Sequence, residues 1–362
     1  VWTGTEQVGI IRLGAINKGS DEPGGFLPMR KLVPFSVCRL TFRPLSMACY
    51  FAVIAITMDS IFAAATASAA DPPGAKSLRW KLRDGESLRV QFSQEMVMKS
   101  SGVGEALSTE ADMSMELQWR VTGTQPDGSM QMDQSIERLR MEMKTSDGES
   151  LVYDSASKEP PQGMAATIAK GLKPLIGVTF LQEMSDRGQI TSIKLSPGAE
   201  EALKTAHAGA QLKDVFSQDG MRQLISEVTA VLPEKPVRVG DTWQAVNTTN
   251  SPLGPLQTET TYTYRGTVNV EQRALERIDV AMKIGFGDGQ NALGLNVKVQ
   301  GQHNGGSMYF DAAAGRFVQS VIKQDMTLAS QLGNHTHLQQ LQTTLRMQFM
   351  PAGLPERTAR AK

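Results

Sequence analysis

The chain has 362 residues, of which 40% are hydrophobic and 20% charged, with 37 Lys and Arg against 37 Asp and Glu. That apolar content suits one or two folded domains and excludes a disordered chain. A formal net charge of zero gives no electrostatic pull toward nucleic acid or an anionic membrane surface.

Residues 1–28 lack periodicity, and Met29 or Met47 would each open a conventional leader. Arg30, Lys31, Arg39 and Arg43 form a basic region, residues 47–56 a short apolar core, and Ala67-Ser-Ala-Ala precedes Asp71-Pro-Pro-Gly. These are the parts of a secretory signal peptide. Residues 1–69 are therefore expected to be an over-extended start plus a signal segment, cleaved between about Ala67 and Asp71. Asp59 interrupts the apolar run, which is too short to span a bilayer. A retained anchor is the alternative; cleavage leaves no stable membrane span and places the chain in the periplasm or cell envelope. Removing the 6 basic and 4 acidic residues of positions 1–70 leaves 31 against 33, a net of −2. Both cysteines, Cys38 and Cys49, lie in this stretch, so the remainder has no disulfide or thiolate chemistry.

Residues 70–160 read as a first β-meander. Leu78, Trp80 and Leu82 alternate, then Leu88, Val90, Phe92, Met96 and Met98, with Gln94 the one polar exception. Met113, Met115, Leu117, Trp119 and Val121 continue a period of two, the mark of a half-buried strand. Pro126-Asp-Gly predicts a hairpin turn. The phase slips between Ile136 and Leu139, which predicts a β-bulge before Met141 and Met143. Four strands with short turns make an antiparallel meander.

Residues 161–235 read as a helical middle with a short hairpin. Met164, Ile168 and Leu172 form a helical stripe, residues 178–184 and 190–195 two strands around Asp186-Arg-Gly, and Ser196-Pro197 a helix start. Asp219 caps a further helix running to Leu232. Pro233 and Pro236 stop it, Gly240-Asp241 turns the chain, and Trp243 opens the next half as a buried core anchor. Residues 236–350 predict about six strands, with turns at residues 303–306 and 311–315, and 351–362 a tail. Residues 151–158 echo 308–315 weakly, as two related meanders would.

Four methionine pairs fall at i, i+2, each on one strand face. Met96, Met98, Met113, Met115, Met130 and Met132 then form either ordinary core or an adaptable apolar surface for an acyl chain or similar molecule. Thioether ligation of Cu(I) is a weaker fit, because this half has no histidine or cysteine nearby. His335 and His337 share a strand face, and His303 joins them if the strands pair, a set able to hold Zn or Cu. No phosphate loop, nucleophile elbow or paired carboxylates occur, so the chain is expected to be non-enzymatic and to need no cofactor.

Residues 78–92, Leu-Arg-Trp-Lys-Leu-Arg-Asp-Gly-Glu-Ser-Leu-Arg-Val-Gln-Phe, a helical middle, and residues 232–243, Leu-Pro-Glu-Lys-Pro-Val-Arg-Val-Gly-Asp-Thr-Trp, carry a resemblance. The chain resembles, over about 77–350, a family of uncharacterised bacterial secreted domains of unknown function. Its layout is also similar to the half-barrels of periplasmic lipoprotein carriers, which wrap an antiparallel sheet around helices and bind acyl chains. The expected fold is α+β, with long antiparallel meanders in a curved sheet or half-barrel and the helical middle packed on it. The expected role is an exported envelope domain, structural or interacting with an envelope protein. The alternatives are an apolar-ligand or lipid-binding module through the methionine face, and a metal protein built on His303, His335 and His337.

Overall fold

A computed structural model describes residues 74–102, 106–205, 230–251, 254–286, 296–332 and 335–351. The signal segment, His207, the Asp219 helix and the 351–362 tail beyond Pro351 lie outside the described residues.

Four strands come first: β1 (Ser87–Ser101), β2 (Leu107–Thr124), β3 (Met130–Thr145) and β4 (Ser150–Asp154). Helix α1 (Gly163–Leu172) runs into a 3-10 turn (Lys173–Leu175), followed by β5 (Thr179–Met184), β6 (Ile190–Leu195) and helix α2 (Pro197–Thr205). The second half is β7 (Thr242–Ser251), β8 (Gly254–Val270), β9 (Arg273–Phe286), β10 (Asn296–Asp311), β11 (Arg316–Leu332) and β12 (His335–Pro351).

All twelve strands belong to one sheet, in the order β6-β5-β3-β2-β1-β12-β11-β10-β9-β8-β7, with β4 on β3. Every pairing is antiparallel, and the two meanders fuse where β1 pairs with β12, from Leu88↔Pro351 to Ser101↔Leu338. The sheet is curved and open. The expected mixed α+β fold is thus corrected toward β: among the described residues two short helices stand against twelve strands. They lie against the β4–β6 end and do not form a central pillar.

Alternation supplies the core. Every second residue of β1 from Leu88 to Met98 is buried and its neighbours are not. The opposite face carries charge, including the ion pairs Arg138–Asp154 at 2.7 Å and Arg346–Glu95 at 2.5 Å. A lipid-facing barrel wall would be apolar there.

The bulge is where the phase slip put it. Glu116 faces Arg138 while Leu117 faces Ile136, so Glu137 is the extra residue. Ser196 caps α2, accepting a hydrogen bond from the Ala199 amide at 3.2 Å. The Gly240-Asp241 turn also forms, with Gly240 at φ 95° and the Arg238 amide donating to the Asp241 carboxylate at 2.8 Å.

Other expectations are corrected. Leu78, Trp80 and Leu82 alternate inward but belong to no strand: the Trp80 and Lys81 amides donate to the carbonyls of Asp186 and Gly315, in two different turns. Met164 is 42% exposed, leaving Ile168 and Leu172 as the buried stripe of α1. Residues 230–232 are irregular, since Leu232 exchanges hydrogen bonds with Arg187 rather than closing a helical turn. Trp243 is only partly buried; it stacks on Tyr262 at 5.4 Å and donates its indole N–H to the Val231 carbonyl at 2.7 Å.

The predicted turn at residues 303–306 is in fact mid-strand in β10. Gly305 and Gly306 are there because neighbouring backbones crowd them, which is the other use of glycine in a sheet. A Cβ on Gly305 would stand 2.5 Å from the Val280 carbonyl oxygen, and one on Gly306 would collide with that of Val321.

Candidate functional site

Strand register turns the inner face into a grid. One transverse row crosses Thr260, Met282, Asn304, Gln324, Thr343, Met96, Ala111 and Met143, on β8, β9, β10, β11, β12, β1, β2 and β3 in turn. The adjacent row carries Ile322, Leu345, Gln94 and Met113. The six methionines singled out from the sequence all face inward, between 1% and 6% exposed, within one apolar cluster. They sit on the β1–β3 side.

The same face contains something the methionine pattern did not announce. Gln94, Gln324 and Thr343 are 1%, 3% and 3% exposed and adjoin one another across β1, β12 and β11. Both amide atoms of Gln94, the Oε1 of Gln324 and the hydroxyl of Thr343 have no hydrogen-bond partner, nor does the hydroxyl of Thr258, three strands away on β8. Asn304 beside them is partnered, donating to the Gln302 Oε1 at 2.8 Å. A buried polar group left unpaired costs about 1–3 kcal/mol, so the contiguous belt of Gln94, Thr343 and Gln324 calls for a cause.

A second group lies along the sheet. Gln134 faces Trp119 across β2–β3, and Gln182 is its diagonal neighbour on β5. Both amides are unpartnered, as are the indole nitrogens of Trp119 and Trp80. On β1 the row of Trp119 meets Leu88, six residues from Gln94; at strand rise the groups are about 20 Å apart. Between them the wall is apolar: Val90, Phe92, Met115, Leu117 and Leu139 are all buried.

Charge is nearly excluded from this interior. Among the described residues Glu276 is the one buried Asp, Glu, Lys or Arg. It is compensated by the Tyr264 hydroxyl at 2.5 Å, the Thr267 hydroxyl at 2.9 Å and the Lys76 ammonium at 3.3 Å.

Two tyrosines are held strongly in their neutral form. Burial pushes Tyr262 up to about 12 from 10. Burial, then the Glu276 hydrogen bond and charge, push Tyr264 up to about 12 as well. Unfolded tyrosines ionise near pH 10, while these stay protonated until about pH 12 in the folded chain. Stability is thus expected to be flat up to about pH 10 and to fall as pH rises through 12. The fully buried Tyr262 alone accounts for about 3 kcal/mol of that loss. Denaturant titrations between pH 8 and 12 measure it, with Tyr262→Phe flattening the slope.

The three histidines are not brought together. His303 is exposed and faces Asp325, whereas His337 is buried opposite Ser330. Ser330 in turn faces Val297, six residues from His303 on β10, a gap of about 20 Å on the opposite side of the sheet. His335 is exposed near the start of β12. Burial holds His337 below its ordinary pKa, leaving the ring neutral at pH 7. No cluster of three metal-ligating side chains occurs among the described residues, and no described helix is long and apolar enough to cross a membrane.

The model of a family of unknown function (DUF6263) matches residues 127–309, half of the chain. No curated protein matches the chain in sequence. Among solved structures, lipovitellin, in a study of its lipid–protein interactions, is similar at 12% identity and a TM-score of 0.40, over 76% of this chain and 26% of that one. An outer-membrane channel from Pseudomonas putida F1 is similar at 8% identity and a TM-score of 0.23, over 78% of this chain and 100% of the channel. An exported protein with a YmcC-like fold from Bacteroides fragilis is similar at 10% identity and a TM-score of 0.17, over 73% and 97% of the two chains.

Proposed function

The chain belongs to the family of unknown function DUF6263, and we propose that it acts as an exported, non-enzymatic binding module for amphiphilic, largely apolar molecules. The observation that carries this reading is the inner face itself. Methionines of β1–β3 stand beside a belt of buried polar groups with unpartnered atoms. A surface built only to be filled by its own chain would more often use Leu, Ile and Val and would pair its polar atoms. Export follows from the leader pattern of residues 30–70.

A titration with a fluorescent monoacylglycerol tests the reading. Wild type is expected to take up the probe saturably, at about one per chain. Met115→Leu, a near-isosteric change, keeps fold and uptake, with a stability change below about 1.5 kcal/mol. Met115→Glu abolishes uptake, and circular dichroism reports whether the fold survives. Absence of saturable uptake by wild type overturns the reading.

The interaction-module reading keeps one observation of its own. β7 ends the sheet among the described residues, and its ten residues contain no charge and no proline. Such an edge is open to strand addition by a partner protein.

A further inference from the structure

We propose that the belt formed by Gln94, Gln324 and Thr343 recognises an uncharged hydrogen-bonding group of the bound amphiphile, a hydroxyl, ester or amide, and discriminates against a free carboxylate or phosphate. This rests on the binding reading above and names the ligand class for it.

The argument is one of matching. Gln94 presents both a donor and an acceptor without partners, Gln324 an acceptor, and Thr343 a hydroxyl that does either. A neutral hydroxyl, ester or amide meets that set directly. An anion does not, because no lysine or arginine is buried on the inner face among the described residues. Lys76, the cation paired with the buried Glu276, is half exposed. Glu276 in turn lies on β9 six residues from Met282, the belt's row on that strand, about 20 Å away. His337 faces inward six residues from Thr343 and is neutral by burial. A carboxylate drawn into the belt would lose its hydration with no opposite charge to replace it, which is the costly case of burying an ion.

The apolar side of the same grid gives the rest of the ligand its place. Gln94 adjoins Met113, and Thr343 adjoins Met96, so a polar group at the belt leaves its chain against the methionine wall.

Isothermal titration of the full mature chain with glycerol monooleate and with sodium oleate at pH 8, below the aggregation concentration of each, tests the inference. The two share one acyl chain and differ in charge. The glycerol ester is expected to bind at least about tenfold more tightly. Gln94→Met and Gln324→Met remove the unpartnered atoms at nearly constant volume. Each is expected to raise the thermal midpoint of the ligand-free protein, because an unsatisfied buried amide is gone, and to weaken binding of the ester while leaving oleate unchanged. Equal affinity for oleate and the ester, or variants that bind the ester as wild type does, would overturn the inference and leave apolar binding standing. A lowered midpoint in both variants would make the glutamines structural and overturn it too. If neither lipid binds wild type, the binding reading itself has failed and this one with it.

Discussion

Trp80→Ala is expected to destabilise the chain by about 3–5 kcal/mol, the range for emptying a large buried aromatic site. The indole is 2% exposed and sits where the two halves meet. It touches Trp119 of β2 at 6.5 Å, Phe310 of β10 at 6.4 Å, Phe317 of β11 at 5.6 Å and Phe349 of β12 at 5.7 Å. Three of these contacts are edge-on, the favoured arrangement for aromatic rings. Trp80→Phe separates packing from hydrogen bonding, since the indole nitrogen has no partner. It keeps a ring in place and is expected to cost less than half as much. Equilibrium denaturation measures both, and a loss below about 1 kcal/mol for the alanine would mean the hub is dispensable.

Gly306→Ala is expected to cost about 3 kcal/mol or more, an unusually large effect for one added methyl. The added carbon presses on the Val321 carbonyl and the Ile322 Cα, backbone atoms of the β10–β11 ladder. A side chain could rotate away; a laddered backbone must part. Gly301 on the same strand is the control, because nothing lies within 4 Å of its would-be Cβ. Its alanine variant is expected within about 0.5 kcal/mol of wild type. Similar thermal midpoints for the two variants would refute the crowding argument.

Period two made the strands readable. Leu88 to Met98 and Met113 to Val121 are buried at alternate positions as their spacing requires, and a one-residue slip near Ile136 was enough to locate the bulge. Glycine pairs were the weak point. Gly305-Gly306 has the same letters as a turn, and only the proximity of Val280 and Val321, each distant in sequence, distinguishes crowding from reversal. The six methionines were legible as one face; the polar belt was mostly not. Gln94 stood out as a polar break in an apolar alternation. Gln324 and Thr343 hid in the four-residue gaps between Ile322 and Met326 and between Leu341 and Leu345. Each gap holds an inward polar side chain, which apolar alternation alone does not single out. That the three adjoin is a matter of register between β1, β12 and β11, which no single strand encodes.

The union of β1 with β12 also sets a timetable. Leu88 must wait for Pro351 before its strand has a neighbour on that side. At ordinary synthesis rates the wait is roughly ten seconds to a minute. Throughout it, β1 presents an unsatisfied edge next to a methionine wall that has not yet been covered, the kind of surface that aggregates. β12, the last of the described strands, is therefore the clasp of the whole sheet, and until it is made that edge stays open to pairing with another chain.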